Sequence, residues 1–390
     1  MLRRTLLAVL FLTPLLALAS DPPAARDVDI TAPDGFKLRA TYYAAAKPGP
    51  GVILLHMCNT DRKSWAPLAP QLAAAGINAL ALDYRGFGES GALPKDADQQ
   101  KLAEVRQHWP ADIETAYAYL LSQPGVDRTR MGAAGGSCGV QNAVQLASKH
   151  PEVKSLVLLA GPTNADGIRF LQQNPWLPVF AAAAADDQYD SDAPRAMKWI
   201  TEISGNPRNQ FMGFAEGKHG TEIFVPHPEL PKAIVAWYAD TLVKSPADAN
   251  APVRVKHSAA ADFWAALGSP GGAAKAVEIY HRARKKDPQA YLFPESALNL
   301  AVYARIQSIE TKEAVELAKL NTEAYPNSAN TYDTLSDAYA NDGQIDKALE
   351  AAKKCLALLP ADRGNKEFKD LVRQSAEVKI KKLEPAAKKQ

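Results

Sequence analysis

Between residues 27 and 43, apolar Val28, Ile30, Leu38, Ala40 and Tyr42 alternate with polar neighbours around Asp34-Gly35. A period of two broken by an Asp-Gly pair predicts an antiparallel hairpin. From residue 51 the pattern changes to apolar runs, each followed by an amphipathic stretch. The runs predict strands at 51–56, 78–83, 131–134, 154–160, 178–185 and 209–214, and the amphipathic stretches predict helices at 65–75, 113–122, 140–150 and 233–243. Alternating strands and helices imply an α/β architecture: a mostly parallel sheet of about eight strands, covered on both faces. Fewer than twenty residues separate the strands at 154–160 and 178–185, so no cap domain is expected there.

Beyond residue 256 the strand pattern stops and the apolar spacing is helical throughout. Residues 245–256 carry two prolines and few apolar side chains, and read as a linker between a domain at 20–244 and a helical domain at 257–390. The helical part repeats. Ala314, Ala318, Asn321 and Pro326 recur 34 residues later as Ala348, Ala352, Cys355 and Pro360. An earlier unit gives Phe263, Gly271, Ala276, Tyr280, Ala283 and Pro288, and the register then needs four extra residues near Tyr291 to Pro294. Small residues let paired helices approach closely, and proline ends the second helix. Such units resemble tetratricopeptide repeats, with residues 366–382 as a capping helix. The resemblance implies partner binding or self-association through the repeats.

At the other end, Arg3 and Arg4 precede an apolar core at 6–18 and the small-x-small site Ala17-Leu18-Ala19. That reads as a secretory signal, residues 1–19, cut after Ala19, which places the protein in the periplasm or outside the cell. No second apolar run of eighteen residues follows, so no membrane span is expected after cleavage. The chain has 45 basic and 43 acidic residues, and loses Arg3 and Arg4 with the signal, which leaves it formally neutral. A neutral chain lacks the electrostatic footprint of a nucleic-acid binder. The lysines at 379, 381, 382, 388 and 389 read as a solvated end.

The chemistry concentrates at Gly135-Gly136-Ser137-Cys138-Gly139, between an apolar strand and a helix. A Gly-x-Ser-x-Gly at a strand-to-helix turn resembles the nucleophile elbow of the α/β-hydrolases, most closely their dienelactone hydrolase-like group. The resemblance covers about residues 27–244. It implies that serine, acid and histidine follow in that order. Ser137 is then the nucleophile. Asp187 is the acid, after the strand at 178–185, with Asp186 as alternative and Asp190 behind it. His219, in a Lys-His-Gly turn, is the base; His227 lies between prolines, and His257 and His281 lie among the repeats. The backbone amides of Cys138 and Cys58 would form the oxyanion hole, with Met57 as the alternative to Cys58. This chain has His56-Met57 where relatives often show His-Gly. Dienelactone hydrolases proper use cysteine in Gly-x-Cys-x-Gly-Gly; a frame centred on Cys138 is broken by Val140, which favours Ser137 over Cys138 as nucleophile. The segment Asp83-Tyr84-Arg85-Gly86-Phe87-Gly88-Glu89-Ser90 reads as a structural turn anchored by its aspartate and arginine.

Three cysteines leave one unpaired in any disulfide scheme, and Cys355 falls on a predicted helix as a core residue. Cys58 and Cys138 would flank the oxyanion hole. Two states are open for them: pairing or oxidation that gates the site, or two small apolar side chains packed around the turn. Together these features imply an exported serine hydrolase acting on an ester or related acyl bond of a small molecule, at an open site, with no metal or organic cofactor. Thioester and peptide bonds stay open as substrates. The alternative is a non-catalytic hydrolase-fold scaffold that binds proteins through its repeats.

Overall fold

The computed structural model describes residues 23–94, 99–250 and 257–387; the signal at 1–19 and residues 251–256 of the linker lie outside the described residues. The alternating segment forms the hairpin, β1 (Arg26–Thr31) with β2 (Lys37–Tyr43), in a register that sets Ile30 opposite Leu38. Burying one face of each strand fixes that register, since a slip of one residue would turn the apolar set outward. The remaining strands are β3 (Gly49–Leu55), β4 (Asn78–Leu82), β5 (Val126–Gly136), β6 (Val153–Leu159), β7 (Val179–Ala184) and β8 (Gln210–Phe214). They form one eight-stranded sheet in the order β1-β2-β4-β3-β5-β6-β7-β8. Only the β1–β2 and β2–β4 pairings are antiparallel. Strands β3, β4 and β7 are buried along their whole length, as expected where helices cover both faces.

The helices on the sheet are α1 (Ala69–Ala74), α2 (Gln99–Arg106), α3 (Trp109–Ser122), α4 (Cys138–Lys149), α5 (Ala165–Gln173), α6 (Ala193–Ile203) and α7 (Glu229–Tyr238). One face packs Leu72 of α1 and Ile234, Trp237 and Tyr238 of α7; the other packs side chains of α3, α4, α5 and α6. The helix expected at 65–75 is shorter. A 3-10 turn covers Arg62–Trp65, and α1 begins only with Pro70 in its first turn. Pro67 and Pro70 lack the N–H that an α-helix interior needs. Helices α5 and α6 were not foreseen. Asn164 starts α5 by accepting the Gly167 N–H at 2.9 Å, a side-chain cap that costs about 1 kcal/mol to lose.

The C-terminal third is wholly helical: α8 (Ala259–Leu267), α9 (Gly272–Lys286), α10 (Glu295–Gln307), α11 (Thr311–Ala324), α12 (Ala329–Asn341), α13 (Ile345–Leu358) and α14 (Lys366–Ala387). Ala276, Ala314, Ala318, Ala348, Ala352 and Cys355 are all buried where successive helices cross. Asn321 is buried as well, and donates to the Glu295 carbonyl at 3.1 Å and to Asn299 Oδ1 at 2.8 Å. These helices do not stand apart from the sheet. α8 lies on α5, Trp264 packs against Trp199 of α6 with centroids 6.2 Å apart, and one continuous core joins them. Among the described residues no helix is long and apolar enough to cross a membrane.

Candidate active site

All the strand ends that matter lie at the carboxyl edge of the parallel sheet, where ligands bind in open α/β folds. Ser137 follows β5 directly, with φ 53° and ψ −121°, a left-handed conformation that a non-glycine residue rarely adopts. Such a backbone costs about 1–3 kcal/mol and persists only when its surroundings hold it. Here the Ser137 N–H donates to the Leu159 carbonyl of β6 at 2.9 Å. The outer glycines make the turn possible. A Cβ on Gly135 would strike the Gly139 carbonyl, and one on Gly139 would strike the Leu55 carbonyl of β3.

β7 delivers Asp187 and the loop after β8 delivers His219. Asp187 is 1% exposed, and its Oδ2 accepts from His219 Nδ1 at 2.6 Å. Its other oxygen accepts the N–H groups of Tyr189 at 2.8 Å and Asp190 at 3.1 Å. A buried carboxylate held at both oxygens cannot rotate, and it fixes the imidazole with its proton on Nδ1 and its Nε2 free to act as base. Asp186, the alternative acid, does not reach the histidine. Adjacent side chains leaving a strand diverge, and Asp186 instead accepts the Lys218 N–H at 2.9 Å. His227 is occupied by Glu229 and the Glu216 carbonyl, each at 2.8 Å. Tyr189 stands edge-on to the His219 ring at 4.7 Å, and its hydroxyl accepts from Asn59 at 3.3 Å. Ser137 and His219 border the same cavity, of about 380 Å³.

Cys58 and Cys138 form a disulfide, with Cα atoms 5.9 Å apart across 80 residues of chain. Of the two states left open by the sequence, the structure has the pair. A bonded sulfur cannot attack, so Cys138 is corrected as an alternative nucleophile. The Cys138 N–H opens α4, in the turn where a helix has no internal acceptor for its amides and carries a partial positive charge. Cys58 borders the cavity. Met57 does not: its side chain is fully buried, and its carbonyl takes the His56 Nδ1 proton at 2.6 Å. That corrects Met57 as an oxyanion donor. The His56 Nε2 accepts the Tyr84 N–H at 3.0 Å, and burial pulls this imidazole down to about 4, so it is a neutral clamp between the β3 and β4 loops.

The Asp83–Ser90 turn is anchored by partners outside it. Asp83 accepts the N–H groups of Arg62 at 2.7 Å and Glu89 at 2.8 Å, and pairs with the Arg62 guanidinium. Arg85 instead spans Asp112, at 2.8 Å and 3.0 Å, and Asp34. These ion pairs lie behind the cavity and do not border it.

Sequence reasoning missed the far wall. Pro294, Ser296 and Ala297, at the start of α10, border the cavity that holds Ser137 and His219. Ser296 bonds the Asp190 carboxylate, which burial pushes up to about 6 against the opposing hydrogen bonds from the Asp192 N–H and Ser296. Asn365, just before α14, donates to the carbonyls of Asp186 at 2.8 Å and Asp187 at 3.1 Å. Lys218, next to His219, pairs with Glu367 at 3.4 Å. The expected open site is therefore corrected. No segment inserted in the sheet covers it, but the C-terminal helices do.

Residues 50–215 match the family model for the alpha/beta hydrolase fold. The chain is 34% identical over 160 residues to an uncharacterized protein of Mycobacterium tuberculosis, a match that covers 40% of this chain and 52% of that one. It is 32% identical over 126 residues to a thiohydrolase of Arthrinium phaeospermum, covering 32% of this chain and 39% of that one. The chain thus spans about half the length, or less, of these curated relatives. Among solved structures, an esterase of Pyrococcus furiosus overlaps with 19% identity and a TM-score of 0.44, over 56% of this chain and 90% of that one. The sheet and its helices have the α/β-hydrolase fold.

Proposed function

We propose that the protein is an exported serine hydrolase that cleaves an ester or related acyl bond of a small molecule through an acyl-enzyme. The observation that carries this reading is the buried Asp187–His219 pair bordering the cavity into which the Ser137 elbow opens. His219 Nε2 takes the Ser137 proton as Oγ attacks the acyl carbon. Asp187 stays ionised and stabilises the imidazolium that forms. The oxyanion of the tetrahedral intermediate accepts from the N–H groups of Cys58 and Cys138, an interaction stronger in the transition state than in the ground state. His219 then protonates the leaving group, and a water deprotonated by the same nitrogen releases the acid.

The Cys58–Cys138 disulfide supports export, since such bonds persist in oxidising compartments. In this reading residues 1–19 are the signal, 20–244 the catalytic domain and 257–390 a tetratricopeptide-like domain that also engages a protein or a second copy. The thiohydrolase relative and the dienelactone hydrolase-like motif keep thioesters among the candidate substrates. A fluorophosphonate probe tests the reading. Wild type should label, and Ser137→Ala should not. A folded wild type that fails to label would favour the scaffold reading instead.

A further inference from the structure

The cavity continues well past Ser137, and its composition changes along the way. Its reactive end carries Ser137, His219 and Asn59. Beyond them the walls are Ile168 of α5, Met197, Trp199 and Ile200 of α6, and Pro294 and Ala297 at the head of α10. The polar side chains in that part have partners already: Thr163 donates to Gln141 at 3.0 Å, and Asp190 is engaged by Ser296 and the Asp192 N–H. Among the described residues, no lysine or arginine borders the cavity, whereas the Asp190 carboxyl does. An anionic tail would meet this carboxyl with no counter-ion, while an uncharged alkyl chain would replace water along apolar walls on both sides.

We infer that this cavity is an acyl-chain pocket for neutral, unbranched aliphatic acyl groups longer than butanoyl, and that α10 of the C-terminal helices sets its far limit. The inference rests on the serine-hydrolase reading and adds to it the substrate class and the residues that select it. The wall is built for the purpose by the irregular step in the repeat. Leu292 and Phe293 are buried, Tyr291 lies under the Arg195 guanidinium at 3.8 Å, and the chain then turns at Pro294 into α10 so that Ala297 faces the cavity. Alanine at that position leaves room that a larger side chain would take. Across the cavity, Ile200 occupies room that a smaller one would release.

The test uses the full-length protein and p-nitrophenyl esters from acetate through butanoate and octanoate to dodecanoate, with the monoester of a dicarboxylic acid as the charged probe. Burial of each methylene is worth about fourfold in kcat/KM at most, so octanoate should exceed acetate by roughly tenfold or more. The charged monoester should be turned over at least about tenfold more slowly than a neutral ester of equal length. Ala297→Phe should lower kcat/KM for octanoate by about tenfold or more and leave acetate within about twofold. Ile200→Ala should shift the optimum toward dodecanoate, and it serves if Ala297→Phe fails to fold. Binding of octanoate to wild type by calorimetry, weakened in Ala297→Phe or strengthened for dodecanoate in Ile200→Ala, supports the pocket without relying on turnover. Preference of wild type for acetate, equal losses on acetate and octanoate in Ala297→Phe, or octanoate that does not bind would overturn the inference while fluorophosphonate labelling of Ser137 still upholds the hydrolase. Absent labelling with octanoate still bound would sink the hydrolase reading and keep the pocket.

Discussion

The sheet region and the helical region achieve order in opposite ways, and the site lies where they meet. In the sheet region each reactive group is fixed singly, by a special local device: a left-handed Ser137 between glycines, an Asp187 held at both oxygens, a disulfide beside them. In the helical region the same solution recurs, with Ala276, Ala314 and Ala348 buried at corresponding crossings. Its one break in period, Tyr291 to Pro294, is the part that reaches the cavity. Regular packing supplies the scaffold, and departures from regularity supply the function. The sheet region brings the chemistry; the helical region brings the limit of the pocket and a brace, through Asn365, on the acid's own loop.

The largest effect that would break this comparison concerns neighbouring carboxylates. Asp187→Asn should lower kcat by about 10⁴-fold, because the amide supports the wrong imidazole tautomer. Asp186→Asn keeps an acceptor for the Lys218 N–H and should cost less than about tenfold. Ester turnover by both variants at matched folding checks it. Comparable losses would mean that the loop, and not a single buried carboxylate, positions His219.

Next in size is the disulfide. It links the two residues whose N–H groups are assigned to the oxyanion, so breaking it frees the β3 loop from the start of α4. Loss of a donor in such a hole costs about 10²–10³ in kcat, and displacement without loss should cost about 10–10²-fold. Phosphine reduction, or Cys58→Ser with Cys138→Ser, should lower kcat with KM nearly unchanged. Thiol titration in denaturant should find one free cysteine before reduction and all three after it. Full activity in the reduced protein would show that backbone packing alone holds the donors.

Much of this was legible along the chain, and what was not has a common cause. The elbow and the strand-end acid and histidine are local: glycines at fixed spacing, an apolar run, then a carboxylate. The choice between Asp187 and Asp186 needed the direction in which each side chain leaves β7. Helices α5 and α6 are short and capped by Asn164 and Pro194, with no periodic run long enough to stand out. Arg62 carries no signal that it would serve Asp83, 21 residues on. The covered site was the largest miss. The contact between α10 and the Ser137 cavity joins residues far apart in the chain, and its only trace in the sequence was the four-residue interruption of the repeat.

The smallest predicted effect lies inside that junction. Glu295 opens α10 and is 8% exposed; burial pushes its carboxyl from the ordinary 4.5 up to about 7, and the nearby Asp190 and Asp362 add to the rise. Hydrogen bonds from Asn330 and Ser328 oppose it, and Arg195 and Arg363 border the same interdomain crevice. The folded protein therefore keeps a proton between those two values that the unfolded chain has released. Stability tied to Glu295 is complete at low pH, falls as pH rises through that window, and is level above it. Glu295→Gln retains an oxygen for Asn330 and removes the titration. Urea midpoints at about pH 5 and about pH 8 should differ in wild type and converge in the variant, by an amount on the order of 2 kcal/mol. An unchanged pH dependence would mean that the crevice is wet enough to solvate the charge. The helical region would then meet the sheet region as a separable neighbour, and not as part of one core.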